Sequence, residues 1–184
     1  MILQRLLTTI VITLSLAFTT VVFGKNLSLR DQKFKDKHLK KLGQRKGHLG
    51  HKAWENFIKI APKYEDAEIL KKMLSIPHDK GTQYATYLSD LFETYKLNQN
   101  FFIKTAYSFY NKKLFCVVEI FKTTPELVPQ EEIRKSFDMK SASSLTKKFY
   151  EAFNEEAPVI NQDYFKKQLE CAKLKKAANL SLSK

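Results

Sequence analysis

Apolar residues recur along most of the chain at three- and four-residue intervals, the spacing of one face of an α-helix. Trp54, Phe57, Ile58 and Ile60 define such a face over 52–60, with Pro62 as its expected stop. Ala67, Leu70, Met73 and Leu74 define another over 64–76, closed by Pro77. The clearest lies over 82–97, where Tyr84, Leu88, Leu91, Phe92 and Tyr95 form one stripe and Thr82, after Gly81, is the candidate N-cap. Leu145, Phe149, Tyr150 and Phe153 predict a helix over 144–157. Asn161 caps a last helix running to about 178, with Asp163 in its first turn and Lys173, Lys175 and Lys176 near its end, a polarity that suits the helix dipole. Pro129 followed by Glu131 and Glu132 predicts a short helix with Ile133 and Phe137 on its apolar side.

One stretch fits two periods. Phe101, Ile103, Thr105, Tyr107 and Phe109 alternate as in a strand; Phe102, Ile103, Ala106, Phe109 and Tyr110 repeat as in a helix. The run Leu114 to Phe121 is β-rich in composition, and Asn111-Lys112-Lys113 offers a turn. Two helices and a β-hairpin over 101–121 both remain open here. The body is mostly α in either case.

The N-terminus has a different pattern. Met1 to Arg5 carries one positive charge, and 6–23 is an uncharged apolar run softened by Thr and Ser. Val22-Phe23-Gly24 places modest or small residues where a signal peptidase would cut, before Lys25. The expectation is a secretory signal peptide over 1–24, and hence a periplasmic or secreted protein. The rival is an anchor formed by residues 6–23, a run at the lower length limit for a span. The basic flank behind it favours that rival, because positive charge tends to stay on the cytoplasmic side.

Charge changes the picture next. The chain has 32 Lys+Arg against 19 Asp+Glu, a net charge of +13. Ten of the basic residues and only two acids, Asp31 and Asp36, lie in 25–52. Apolar residues are sparse there, so 25–51 reads as a basic, flexible arm, with at most a transient helix over 29–42. Lys33, Lys35, Lys37, Lys40, Lys41, Arg45 and Lys46 are its candidates for binding an anionic surface, either lipid headgroups or envelope polysaccharide. The bland alternative is a solubilising tail. Phe34 is the arm's one aromatic residue, too little stacking surface for single-stranded nucleic acid, which is the least supported partner.

Composition allows a real core, with 43% hydrophobic and 12% aromatic residues over one domain's length. The two cysteines, Cys116 and Cys171, are most simply one disulfide in an exported protein; two free thiols are the alternative. Their spacing supports neither a redox motif nor a zinc knuckle. His48, His51 and Glu55 resemble a ligand spacing, but Gly50 and the surrounding lysines argue for a solvated linker, and no metal is assigned. No nucleophile elbow, Walker A or dinucleotide fingerprint occurs. Glu131-Glu132 and Glu155-Glu156 read as helix-end charges. No catalytic residue and no cofactor is assigned. The tyrosines at helical spacing are core by default; Tyr84, Tyr87 and Tyr95, with Tyr107 and Tyr110, are the candidates for an interface with a protein partner. Asn26-Leu27-Ser28 and Asn179-Leu180-Ser181 match the glycosylation sequon.

Phe115-Cys116, the helix pattern Leu145 to Phe153, Pro158, and Tyr164 to Cys171 follow one another in an order with a precedent. In this half the chain resembles small periplasmic immunity proteins that neutralise type VI secretion amidase effectors. The resemblance implies an all-α fold and inhibition by occluding an enzyme's active site, and it carries no inhibitory residue onto this sequence.

These readings give an exported protein with a single helical domain over 52–184 behind the arm. Its expected role is non-catalytic binding, with an immunity-type inhibitor and an enzyme of unrecognised type as alternatives.

Overall fold

A computed structural model describes residues 26–42, 51–76, 82–122, 130–155 and 160–182, with the side chains of 51–53 and 82–85 excepted. The expected signal peptide, Arg45, Lys46, His48 and Pro158, and the side chains of His51 and Tyr84, lie outside the described residues. Among the described residues there are nine α-helices and no strand: α1 Leu29–His38, α2 His51–Tyr64, α3 Ala67–Ser75, α4 Thr82–Leu97, α5 Gln99–Phe109, α6 Leu114–Lys122, α7 Gln130–Ser136, α8 Ser144–Asn154 and α9 Gln162–Leu182. A 3-10 turn, Leu39–Lys41, extends α1. No described helix is long and apolar enough to cross a membrane.

The ambiguous region is two helices, so the hairpin over 101–121 is corrected. Seven of its first ten residues are buried: Phe101, Phe102, Ile103, Thr105, Ala106, Phe109 and Tyr110. An apolar run buried on most sides hides its own period. The exposed residues betray it instead, since Lys104 and Ser108 stand one helical turn apart. Asn111 and Lys112, both at positive φ, close α5: the Lys112 N–H bonds the Tyr107 carbonyl at 2.7 Å and the Asn111 N–H that of Ser108 at 3.2 Å. That is a Schellman ending, which turns the chain straight into α6. The β-rich composition of α6 yields to its burial among other helices.

Pro62 does not stop α2; it sits in the last turn. One intrahelical bond is forfeited near an end where few remain to lose. Glu65 then takes φ 54°, and the Asp66 N–H bonds the Ala61 carbonyl at 2.9 Å. Asp66 caps α3 by accepting from the N–H groups of Glu68 and Ile69. The expected helix over 64–76 is thus shortened at its start, and that over 144–157 ends at Asn154.

α5 is the hub, in contact with α3, α4, α6, α8 and α9. The core's centre is aromatic: Tyr95 of α4, Phe102 of α5, Phe121 of α6 and Phe149 of α8 are fully buried. Tyr95 lies 5.4 Å from Phe121, 5.8 Å from Phe102 and 6.1 Å from Phe149, ring centre to ring centre. Such tilted and edge-on contacts match the rings' charge distribution. α9 packs on α3, α5 and α6 but buries no residue completely. Its outer side leaves Phe165 and Leu169 exposed. It is fastened by the disulfide Cys116–Cys171, whose Cα atoms are 5.4 Å apart, and by Lys113–Glu170 at 3.0 Å.

Residues 26–42 differ from the flexible arm that their charge suggests. Leu39 and Leu42 are buried in the main core, and Phe34 packs on Phe57 at 5.1 Å. A few well-placed apolar side chains suffice because α1 lies on a surface already built by α2 and α3.

Candidate functional site

Ser28 caps α1, accepting from the Asp31 N–H at 3.1 Å, and Asp31 accepts from Tyr64 Oη of α2 at 2.8 Å. The Tyr64 and Ser28 bonds hold the Asp31 carboxyl below the usual range. Lys35 points to α3, where Nζ meets Asp66 at 2.8 Å and Glu68 at 2.7 Å. Burial works against its charge, but the bonds to Asp66 and Glu68 more than offset it and raise its pKa. Lys35 is therefore a mounting point, and the expectation that it contacts an anionic surface is corrected.

Lys33, Lys37, Lys40 and Lys41 are exposed, and so is Arg30. Residues 30, 33 and 37 share one side of α1, and the 3-10 turn adds 40 and 41. The stripe extends about 16 Å. His38 lies against Phe34 with ring centres 4.6 Å apart, and burial, then Lys37 and Lys41, lower its pKa and disfavour its charged form.

The tyrosines expected at an interface behave otherwise. Tyr87 is 8% exposed and Tyr95 fully buried, so both are core side chains and neither stands on the open surface that the interface expectation requires. Burial pushes the Tyr95 phenol up to about 12. Its hydroxyl has no hydrogen bond of normal geometry among the described residues, although the Ser136 side chain eases the shift in part. No group of three or more metal-ligating side chains gathers among the described residues. Glu131 stands in the first turn of α7 and pairs with Arg134 at 3.2 Å, as a helix-end charge does; Glu155 ends α8 through its backbone N–H, and Glu156 lies outside the described residues. Ser28, in the first sequon, is engaged as the cap of α1.

A second feature was not visible in the sequence. A cleft of about 190 Å³ lies beside the disulfide, walled by Leu74, Leu88, Leu91, Ile120, Tyr87 and Tyr110. Besides the tyrosines it is lined by a carboxyl and an amine, Glu119 of α6 and Lys175 of α9. The Glu119 carboxylate accepts from Tyr164 Oη at 2.9 Å and, on the same oxygen, from Gln168 Nε2. Burial pushes its pKa up, against the opposing pull of those two bonds and of Lys122. Burial alone lowers Lys175, to about 8. Its Nζ lies 5.6 Å above the ring of Tyr87. Glu119 had a signal in the sequence, as the single charge in the run Leu114 to Phe121. Lys175 had none, since Lys173 and Lys176 beside it look the same and are exposed.

Compared with known proteins, the chain matches no family model, no curated protein and no solved structure.

Proposed function

We propose that this is an exported, non-catalytic binding protein that attaches to an anionic lipid surface through the stripe Arg30, Lys33, Lys37, Lys40 and Lys41. The observation that carries the reading is that α1 is fixed to the body on one side and presents these cations together on the other. A flexible tail would spend ordering entropy on contact, whereas a mounted helix has already lost it. The disulfide Cys116–Cys171 is compatible with export.

The test uses the chain from Lys25 onward with Lys33, Lys37, Lys40 and Lys41 all changed to Gln. Co-sedimentation with vesicles containing anionic lipid should show salt-sensitive binding of the parent. Each lysine near such a surface contributes about 1 kcal/mol, so the variant should bind up to about a thousandfold less at low salt. Equal binding to neutral vesicles, or an unaffected variant, would overturn the reading. Retention on an anionic polysaccharide without vesicle binding would replace lipid by polysaccharide as the partner.

A further inference from the structure

The cleft beside the disulfide carries an inference independent of the α1 stripe. Leu74 of α3, Leu88 and Leu91 of α4, and Ile120 of α6 give it an aliphatic side, and Tyr87, Glu119, Gln168 and Lys175 give it a polar one. Its two charges are not paired with each other. Glu119 is engaged by Tyr164 and Gln168. Gln168 and Lys175 are seven residues apart, about 10 Å along α9. No carboxylate among the described residues lies within ion-pair distance of Lys175, which rests on the Tyr87 ring. An ammonium drawn partly out of water, with no carboxylate at ion-pair distance, lacks the partner that usually accompanies such a charge.

We propose that the cleft is a binding site for a small monocarboxylate, its carboxylate on Lys175 Nζ and its hydrocarbon part along Leu74, Leu88, Leu91 and Ile120. The volume, about 190 Å³, equals that of about six liquid waters, and an apolar cavity of about 150 Å³ holds benzene. The ligand therefore has roughly six to eight non-hydrogen atoms. One ammonium matches one negative charge, and a dianion such as phosphate would leave a charge unmatched in a cleft that already holds a carboxylate. A cationic ligand would place a second positive charge beside Lys175.

The pH behaviour adds a signature. Tyr87 faces the cleft from α4, Tyr110 from the cap of α5 and Glu119 from α6, while α3 contributes Leu74. With its pKa lowered to about 8, Lys175 is largely uncharged at a pH of about 9, and an arriving carboxylate raises its proton affinity again. Binding then takes up a proton from solvent.

Hexanoate and hexanol are the probes, titrated calorimetrically into the purified protein with its disulfide intact. Hexanoate should bind about tenfold or more tightly than hexanol. Lys175→Met should erase that difference, and Lys176→Met, at an exposed neighbour, should preserve it. At a pH of about 9, two buffers of different ionisation enthalpy should report proton uptake by the unmodified protein, a readout that needs no variant to fold. No binding of hexanoate, equal binding of hexanol, undiminished binding by Lys175→Met, or binding without proton uptake would each overturn the proposal.

Discussion

Glu119 stands in the middle of an apolar helix, 6% exposed, and the fold meets its charge with two donors from α9. Both reach the same oxygen, so Glu119→Gln keeps an amide oxygen where they converge. Burial raises the folded pKa of Glu119. A raised acid binds its proton more tightly folded than unfolded, so its contribution is full below the ordinary carboxylate pKa and is lost as pH rises towards the folded value. Melting temperatures across that window should fall more for the parent than for Glu119→Gln; parallel curves would show that the carboxyl is not desolvated. Tyr95 offers a second case. A buried hydroxyl without a good partner gains little, so Tyr95→Phe should leave stability unchanged or raise it by up to about 1 kcal/mol in urea unfolding. A loss larger than about 1 kcal/mol would mean that the hydroxyl is satisfied. The interface expected at Tyr87 and Tyr95 failed for a related reason. Tyrosine at helical spacing looks the same in a sequence whether its ring ends in the core or at its edge.

At the scale of elements, caps explain what periodicity missed. The apolar stripes of α4 and α8 were legible because each has one buried side, and α9 was legible from its Asn161 cap, which accepts from the Tyr164 N–H. The break between α2 and α3 was not, because it depends on Glu65 at positive φ and on Asp66, a residue whose role is set by two neighbours at once. Asp66 caps α3 and also holds Lys35 of α1. Asp66→Asn keeps the cap and loses the charge; Asp66→Ala loses both. The alanine variant should be destabilised by about 2–3 kcal/mol, and by about 1 kcal/mol more than the asparagine variant, in denaturant unfolding. Equal losses would place the whole effect in the ion pair. The docking of α1, where the sequence supports only a transient helix over 29–42, was illegible for a simpler reason. Its charge density argues for disorder, and only the finished surface of α2 and α3 shows where Phe34, Leu39 and Leu42 can be buried.

For the whole molecule, the disulfide divides labour between a self-sufficient core and a strapped-on helix. The aromatic centre is built by α4, α5, α6 and α8, while α9 completes no part of it. Closing a 55-residue loop restricts the unfolded chain by about 4 kcal/mol. Reduction should lower the melting temperature and remove hydrogen-exchange protection first over 162–182, with α5 and α6 still protected. Uniform loss of protection would show that α9 belongs to the same cooperative unit as the core. The pairing of the two cysteines was readable from their number, but the cleft beside them was not, because it is made by residues from four helices and by Tyr110, the cap of a fifth. Trp54 is the chain's single tryptophan. Its indole N–H donates to Asp90, and its ring lies 6.4 Å from that of Tyr87, the ring on which Lys175 rests. All indole emission from this protein therefore arises at one place, one aromatic neighbour away from the cleft. An occupant that displaces Tyr87, or a detached α9 that admits water there, changes the surroundings of a single emitter, so the protein carries its own optical gauge.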